Sequence, residues 1–252
     1  MSQVTVLILA RNEAHNIEDC IKSVAFADQV IVIDDFSDDN TVQLATDLGA
    51  TVIQHAMNGD WGQQQTFAVQ QAQTPWILFL DADERISPEL AQEIQATIQK
   101  PANTAYWIQR HNRFKYNQAT HGTLRPDYVC RLLPTENTRV EGFVHPAIIH
   151  PYPDAKLRAP MYHYTYDNWE QYYRKFNQYT TLAAEKYQQS GKPVRFFQDI
   201  ILRPIWAFIK VYFFNKGFLD GKLGWIFAIN HYFYTMTKYV KLYYLQKNNG
   251  KL

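Results

Sequence analysis

Residues 76–84, with the sequence Trp-Ile-Leu-Phe-Leu-Asp-Ala-Asp-Glu, limit most strongly what this chain can fold into. Five consecutive apolar residues are typical of a strand that is buried on both faces of a parallel sheet. Ligands of open α/β sheets bind outside the carboxyl ends of the strands, so we expect Asp81 and Asp83 to face a ligand. Mg²⁺ and Mn²⁺ prefer oxygen ligands of this kind, although a solvated turn or a helix cap is the simpler alternative.

The first hundred residues alternate between strand-like and helix-like patterns. Strands are predicted at residues 4–9, 30–33, 51–54 and 76–80, and helices at about residues 16–26, 41–48, 63–73 and 87–99. This spacing is typical of βαβ units, and it predicts an α/β fold with a mostly parallel sheet flanked by helices. Neither a Gly-x-Gly-x-x-Gly fingerprint nor a Walker A motif follows the first strand. Beyond residue 100 we expect strands at 105–110 and 128–133, a loop at 111–127 between them, and a helix at 169–189.

Polar residues follow three of the predicted strands. They are Ala10-Arg11-Asn12-Glu13, Asp34-Asp35 and Asp81-Ala82-Asp83. Parallel strands bring such ends to one edge of the sheet. Carboxylates there can accept hydrogen bonds from a base or a ribose, and a metal on Asp83 can neutralise a diphosphate. The pattern predicts a site for a nucleotide diphosphate.

The near-neutral composition hides an asymmetry along the chain. From residue 195 onward there are nine Lys or Arg and two Asp, a net charge of +7, whereas the preceding 194 residues have 16 against 22, a net charge of −6. A basic, aromatic tail indicates an anionic partner.

Cys20 and Cys130 form no disulfide framework, and we interpret both as core thiols in a reducing cytoplasm. Because a strand pattern begins at residue 4, we expect no signal peptide.

The tail itself has the pattern of two amphipathic helices. In residues 195–214 the polar side chains fall on one side, and 16 of the chain's 38 aromatic residues lie in the last 58 positions. The second helix, at about 223–245, has an uncharged stretch shorter than the ~20 apolar residues that a membrane-spanning helix needs. Wide apolar arcs edged with Lys and Arg favour helices that lie in a membrane interface. The alternatives are a helical subdomain packed on the sheet and an oligomer contact. Nucleic-acid binding is not expected, because no such motif occurs.

These motifs together resemble the family 2 glycosyltransferases, which have the nucleotide-diphospho-sugar-binding fold called GT-A. Residues 4–13 are similar to the family's opening strand with its Asn-Glu, residues 30–41 to its Val-Asp-Asp-Gly-Ser motif, and residues 80–83 to its Asp-x-Asp. The resemblance implies a nucleotide-sugar site and a divalent metal, Mg²⁺ or Mn²⁺. The residues so implied are Ala10, Arg11, Glu13, Asp34, Asp35, Gln63 and Asp81 for the nucleotide-sugar, with Asp83 and Asp81 for the metal.

A narrower resemblance covers most of the chain. Segments such as Gly142-Phe143-Val144-His145, His163-Tyr164-Thr165-Tyr166, Gly191-Lys192 and Gly217-Phe218-Leu219-Asp220-Gly221 resemble the lipopolysaccharide core β-1,4-glucosyltransferase branch. In that branch a Glu usually follows the Val-His pair, whereas Pro146 stands here. If that Glu is the general base, it is missing, and Glu141, His145 and Asp127 become the candidates for the catalytic base.

The resemblance implies an inverting transferase that moves a hexose, glucose from UDP-glucose, onto a lipid-linked saccharide such as an inner-core heptose. We expect a GT-A domain at residues 1–166, with nucleotide-sugar binding at about 1–100 and the acceptor part at about 101–166. A helical, membrane-associating region is expected at residues 167–252, on the cytoplasmic face of the inner membrane. A transferase for a capsule or polyprenyl-linked glycan, and a non-catalytic sugar-nucleotide-binding scaffold, remain alternatives.

Overall fold

The computed structural model describes residues 3–114, 117–142 and 146–248. The strands are β1 Val4–Ala10, β2 Gln29–Asp34, β3 Thr51–Gln54, β4 Trp76–Asp81, β5 Glu84–Ile86, β6 Ala105–Phe114, β7 Asn117–Gln118, β8 Asp127–Pro134, β9 Arg139–Glu141, β10 Ala147–Ile149, β11 Asp154–Lys156 and β12 Met161–Tyr166. The α-helices are α1 Ile17–Lys22, α2 Thr41–Asp47, α3 Trp61–Gln71, α4 Pro88–Thr97, α5 Trp169–Gln189, α6 Arg203–Ile209 and α7 Gly221–Lys247.

The central sheet has the strand order β3-β2-β1-β4-β8-β6-β12-β5. The first four strands pair in parallel, as the sequence predicted, so β1, β2 and β4 all end at the same edge. Ala10 pairs with Asp34 and Leu9 with Asp81, so the three polar segments leave the sheet side by side. Strand β8 runs antiparallel to β4, and therefore begins at the edge where β4 ends.

Each face of this sheet has its own apolar core. Alternate residues of β4 point to opposite sides, since Leu78 and Leu80 belong to one buried cluster and Ile77 and Phe79 to the other. Helices α1, α2 and α4 cover the first face, and α3 covers the second together with the small antiparallel pair β9–β10. Burial of a large aliphatic or aromatic side chain contributes roughly 1.5–3 kcal/mol. Two covered faces explain why these strands are apolar without alternation.

Two sequence predictions about this region were wrong in extent. The predicted helix at 16–26 ends at Lys22, because the Ser23 hydroxyl donates to the Cys20 carbonyl (2.7 Å) and so competes with the helical backbone pattern. The predicted loop at 111–127 is instead a continuation of β6 to Phe114, the short strand β7 paired with it, and a 3₁₀ turn at Gly122–Leu124. Polar residues on this extension had hidden the strand pattern. The prediction that Cys20 and Cys130 are buried thiols is confirmed, and burial raises the pKa of both.

The described residues form two compact units. One contains residues up to Arg110 together with Asp127–His163, and the other contains His111–Pro126 and the residues from Tyr164 onward. In the second unit α5 and α7 pack along each other around Ala184, Tyr239 and Leu242. Asp220 accepts hydrogen bonds from the backbone N–H of Thr120 (3.3 Å) and His121 (2.9 Å). Asp220 of the Gly-Phe-Leu-Asp-Gly segment therefore anchors a loop.

The tail helices differ from their sequence prediction in detail. The predicted single helix at 195–214 is a π-helical turn at Phe196–Leu202, then α6, then a second π-helical turn at Lys210–Phe214. Pro204 lies in the first turn of α6 and has no N–H to donate, so the backbone spacing changes where the first π-helical turn meets α6. Asp199, one of the polar residues predicted on a common side of this helix, is 2% exposed and is paired with Arg203. Over the described residues, no helix combines the length and the apolar character required to cross a membrane.

Candidate active site at the edge of the parallel strands

The loops that follow β1 and β2 are tied to each other. The backbone N–H of Asn12 donates to the Ser37 hydroxyl (2.8 Å), and the N–H of Asp38 donates to the Asn12 side-chain oxygen (2.9 Å). Asn12 and Phe36 adopt positive φ angles of 56° and 51°. Non-glycine residues in this conformation cost free energy and cluster at functional sites. Mutual hydrogen bonds hold the two loops in one fixed arrangement.

An ion pair crosses these two loops. Arg11 Nη1 lies 2.8 Å from Asp35 Oδ2, and the other Asp35 oxygen accepts from the Met57 N–H (3.0 Å). The Arg11 side chain is 65% exposed, which leaves most of the guanidinium open to a ligand. Asp34 is fully buried, and its carboxylate accepts from the Ser37 N–H (2.9 Å) and the Ser37 hydroxyl. Asp34 thus fixes the loop, whereas Arg11 and Asp35 border the edge.

The other nucleotide candidates lie around this pair. The Ala10 carbonyl accepts from the Asp35 N–H (2.9 Å), and the Glu13 carboxylate accepts from the Asn16 amide (2.9 Å). Gln63 lies in the first turn of α3, where its N–H donates to the capping Asp60 side chain (2.9 Å) and its own side chain is exposed. Its neighbour Gln64 is buried and bonded to His55, so Gln63 is the one that faces solvent.

Asp81 belongs to a buried charge network that the sequence did not predict. Arg131 donates to the Asp81 carboxylate and to Glu84 Oε1 (2.7 Å), and Arg110 lies 3.3 Å from the same Glu84 oxygen. Glu84 is fully buried, and its second oxygen accepts from the Asp81 N–H (3.0 Å). The network therefore holds the strand end that carries the Asp-x-Asp pair.

The pKa values follow from this burial. Burial raises the pKa of Glu84 above its ordinary value, against the opposing pull of Arg131. Burial alone would lower the pKa of Arg131, but the charges of Asp81 and Glu84 more than offset this and raise the pKa above its ordinary value. This guanidinium is therefore permanently charged. Arg131 and Arg110 face Asp81, Glu84 and Asp127, so each buried charge of the cluster has a partner of opposite sign.

Asp83 has a different neighbour. Its Oδ2 lies 3.3 Å from Nε2 of His163, which stands opposite Glu84 in the β5–β12 pairing. The Asp83 and His163 side chains are 24% and 15% exposed, so both are partly accessible. This carboxylate and this imidazole are ligands that a divalent cation such as Mn²⁺ accepts, and the carboxylate oxygens also suit Mg²⁺. The residues present therefore fit a divalent metal.

The three candidate bases are distributed over different elements. Asp127 begins β8 at the edge where β4 ends, and Arg110 holds it through Nε (3.1 Å) and Nη2 (2.8 Å). Glu141 ends β9, is 58% exposed and pairs with Arg139 (2.7 Å). His145 lies outside the described residues. Among the candidates in the described part of the chain, Asp127 is the one on the same sheet edge as Asp81.

Close packing connects Glu141 with the start of α3. A Cβ atom added to Gly62 would come within 2.8 Å of the Gly142 carbonyl oxygen and 3.1 Å of the Glu141 carbonyl carbon. Only glycine allows this close approach, which explains why Gly62 precedes Gln63 at the start of α3.

The sequence alone assigned no site role to Arg110, Arg131 or Glu84, and His163 entered only through the His-Tyr-Thr-Tyr segment of the narrower resemblance. Arg131 did carry a signal, because it interrupts a run of apolar residues in β8. A charged residue inside an otherwise buried strand requires a buried partner of opposite charge.

The second unit carries an unusually apolar surface. Phe197, Phe214 and Trp206 are 76%, 67% and 57% exposed, and Leu202 and Leu219 are exposed as well. Several of the rings touch, such as Trp206 with Phe214, whose centroids are 5.6 Å apart. We call the exposed apolar residues between 196 and 226 the tail apolar surface. Exposed apolar patches are common at the interaction sites of soluble proteins.

Parallel strands that end in the Arg11–Asp35 ion pair and an Asp-x-Asp segment, within a mixed α/β sheet, are the arrangement expected of a nucleotide-sugar transferase. The chain matches the profile of Glycosyl transferase family 2 over residues 5–152, and so it belongs to that family and is a glycosyltransferase of GT-A fold. An uncharacterized glycosyltransferase of Rickettsia felis is 30% identical, over 96% of this chain and 90% of the relative. The lipopolysaccharide core biosynthesis glycosyltransferase LpsC of Rhizobium meliloti is 26% identical, over 95% and 92% of the two chains. The crystal structure of S. aureus TarS has a TM-score of 0.48 at 18% identity, covering 92% of this chain and 49% of that chain.

Proposed function

We propose that the protein transfers glucose from UDP-glucose, with inversion, to a lipid-linked saccharide such as a lipopolysaccharide inner-core heptose. The observation that carries this proposal is the meeting of the Arg11–Asp35 pair and the Asp83–His163 pair at one edge of the sheet. The first pair offers a cation and a carboxylate for a nucleotide, and the second offers ligands for a divalent cation. The likeness to LpsC over nearly the whole chain supports the choice of acceptor class.

The nucleotide would lie against the loops after β1 and β2. Asp35 would accept hydrogen bonds from the base or the ribose, while the exposed Arg11 guanidinium and Gln63 would contact the remaining polar groups of the sugar-nucleotide. Asp34, with its oxygens already bonded to Ser37, would support the loop. Glu13 and the Ala10 carbonyl would complete the rim. Asp35→Ala should weaken UDP binding measured by calorimetry with Mn²⁺ present, and unchanged affinity would place the nucleotide elsewhere.

The metal would be held by Asp83 and His163, with Asp81 beside them. When bound, the cation neutralises the negative charge that develops on the departing diphosphate. Arg131 would keep one oxygen of Asp81 in place, so that the strand end holds its position through the reaction. Mn²⁺ could be bound by the carboxylate oxygens and the imidazole nitrogen, and Mg²⁺ by the carboxylate oxygens.

The general base would remove the proton of the acceptor hydroxyl. We favour Asp127, since it begins β8 at the edge where β4 ends, with Glu141 and His145 as the other candidates. Removal of a general base lowers the rate by about 10²–10⁴-fold. Asp127→Asn, Glu141→Gln and His145→Gln, assayed for kcat side by side, should show a loss of that size in Asp127→Asn. A normal kcat in Asp127→Asn with a large loss in one of the other two variants would reassign the base.

A lipid-linked acceptor lies at a membrane, and the tail apolar surface supports peripheral association with the cytoplasmic face of the inner membrane. Lys210, Lys216 and Lys222 are exposed among its aromatic residues. Basic residues near an anionic bilayer contribute about 1 kcal/mol each, and aromatic insertion adds a salt-insensitive part. Changing all three lysines to Glu should weaken binding to anionic vesicles and slow transfer to an embedded acceptor. Wild-type protein that stays in the supernatant at low salt would contradict the membrane assignment.

The donor and the acceptor can be tested together. Release of the nucleoside diphosphate is measured with UDP-glucose and other sugar nucleotides, in the presence of truncated lipopolysaccharide that ends at the inner core. We expect UDP release with UDP-glucose and a mass increase of one hexose in the acceptor. Turnover with a capsule or polyprenyl-linked acceptor instead would change the acceptor class. Binding without turnover on any acceptor would favour a scaffold.

A further inference from the structure

Three cationic side chains of the second unit converge on two tyrosine rings. The Lys192 ammonium lies 3.8 Å from the centre of the Tyr187 ring and donates a hydrogen bond to the Tyr239 hydroxyl (3.1 Å). The Lys238 ammonium lies 5.7 Å and 5.4 Å from the same two rings. The Arg203 guanidinium carbon lies 5.7 Å from the Tyr239 ring. We call Lys192, Arg203 and Lys238 the cation cage.

The charges of the cation cage are not balanced by the protein. Asp199 is paired with Arg203 and also accepts from the Arg195 N–H (2.8 Å). Within residues 3–114, 117–142 and 146–248, neither Lys192 nor Lys238 has an ion-pair partner. Tyrosine rings attract cations through their electron-rich faces, but they supply no net negative charge. Three cations against one carboxylate leave the cage with an excess of two positive charges.

Partial burial makes this excess unfavourable. Lys192 and Lys238 are half-buried, and burial lowers the pKa of Lys238, as do Lys192 and Arg203, while Tyr187 opposes the shift. Like charges at short range repel each other more strongly where water is partly excluded. An anion among the three side chains would remove that repulsion and form charge-assisted hydrogen bonds. The cage therefore has the chemistry of an anion site.

The position of the cage indicates where the anion comes from. Phe196 packs on Tyr243 with ring centres 6.3 Å apart, and Phe196 and Phe197, at the start of the tail apolar surface, are 51% and 76% exposed. If these rings insert between acyl chains, the adjoining cations lie at the level of the phosphates, where basic side chains of interfacial helices reside. The Lys192 carbonyl accepts from the Gln246 amide (2.7 Å), which fixes the loop that carries this lysine.

We propose that the cation cage binds the phosphate group of an anionic membrane lipid. The proposal rests on the membrane association put forward above and names a specific site for it. It also gives a role to the Gly191-Lys192 segment, which the nucleotide and metal sites leave unused. Lys192 and Lys238 would donate to the phosphate oxygens, and Arg203 would contribute charge while it stays paired with Asp199.

The test compares vesicles of equal surface charge. Phosphatidylcholine vesicles are doped either with phosphatidic acid or with oleate, adjusted to the same zeta potential, and co-sedimentation is measured. Wild-type protein should bind the phosphatidic acid vesicles about tenfold more tightly, because a phosphate offers the two lysines more charged acceptor oxygens than the oleate carboxylate does. The Lys192→Gln, Lys238→Gln double variant should lose this preference. The matched control Arg174→Gln, Lys186→Gln removes two exposed charges of the same unit and should keep it.

Further arms separate the remaining possibilities. Lys192→Arg, Lys238→Arg preserves the charge and should restore the preference, which a simple folding defect of the Gln variant would not explain. Equal binding of wild type to both vesicle types would contradict phosphate binding by the cation cage. An equal loss of the preference for phosphatidic acid in the Gln variant and its control would contradict it as well. Glycerol 3-phosphate that binds in calorimetry as tightly as the vesicles would overturn the lipid source. Absence of all vesicle binding would overturn the cage and the membrane association together, whereas UDP release with a soluble acceptor would still report the transferase activity.

Discussion

His163 Nε2 lies 3.3 Å from Asp83 Oδ2, although eighty residues separate them in the chain. The antiparallel pairing of β12 with β5 produces this contact, because His163 stands opposite Glu84, the residue after Asp83. The Asp-x-Asp acids are thus each matched with a side chain from a later strand. Asp81 meets Arg131 of β8, and Asp83 meets His163 of β12.

The pairing predicts how metal dependence changes in a histidine variant. His163→Ala should raise the Mn²⁺ concentration needed for half-maximal transfer by about tenfold or more, since outer partners and ligands commonly affect metal affinity by 10–100-fold. The measurement is a Mn²⁺ titration of UDP release at saturating donor, with His121→Ala, a histidine paired with Asp220, as the control. An unchanged metal requirement in His163→Ala would remove this residue from the proposed ligand set.

The buried network predicts a change in the free energy of unfolding that can be measured without an activity assay. Glu84→Gln removes the charge that faces Arg131 and Arg110 in a fully buried site, and breaking a buried pair typically costs about 3–5 kcal/mol. Urea unfolding of the full chain should show that loss. Glu18→Gln removes a surface partner of Lys22, where both side chains are half-exposed, and should leave the midpoint nearly unchanged. Similar midpoints for the two variants would mean that the network does not stabilise the fold.

Gly62 predicts a link between α3 and the candidate base Glu141. Gly62→Ala places a methyl group 2.8 Å from the Gly142 carbonyl oxygen, so the backbone at 141–142 must move. Transfer should fall several-fold if Glu141 or its neighbours contribute to the site, while UDP affinity should change little. Gly49→Ala, where a Cβ has open space but φ is +83°, controls for a general glycine effect on stability. Unaltered transfer in Gly62→Ala would separate this segment from the reaction.

His231 predicts an acid sensitivity of the second unit. Burial lowers the pKa of His231 to about 4, and Lys238 and Lys210 lower it as well. The neutral ring is therefore favoured in the folded state, so its contribution is complete above about pH 6.5 and is lost as the pH falls toward 4. The loss should be on the order of 2–3 kcal/mol. Urea unfolding between pH 7.5 and 4 should show a shallower decline in His231→Gln, and identical declines would contradict this assignment.

Local patterns predicted the parallel half of the sheet well, because strands buried on both faces are apolar without interruption. Strand β3 and helix α5 have the bounds that the sequence indicated. The sequence could not predict the π-helical turns around Pro204, since the period of the apolar pattern does not distinguish them from an α-helix. The extension of β6 was missed because its residues are polar and only its partner strands show it to be a strand.

The candidate site was predictable only in part for the same reason. Arg11, Asp35 and Asp83 follow directly from strands whose parallel order brings their ends together. Arg131 and His163 come from antiparallel strands whose place in the sheet depends on long-range pairing. Their partners could be identified only once β8 and β12 had a register against their neighbours.

The role of Asp83, two residues after β4, in metal-dependent glycosyl transfer can be tested by one comparison of wild type with a single variant. Asp83→Asn preserves the size of the side chain and removes its charge, so the fold should persist, as circular dichroism and unfolding can check. Hexose transfer from UDP-glucose to truncated lipopolysaccharide is then measured by mass spectrometry for wild type and variant, with Mn²⁺ and with a chelator. We expect transfer by wild type with Mn²⁺, loss of it with the chelator, and no transfer by the variant in either condition. Near-normal, chelator-insensitive transfer by Asp83→Asn would contradict the account.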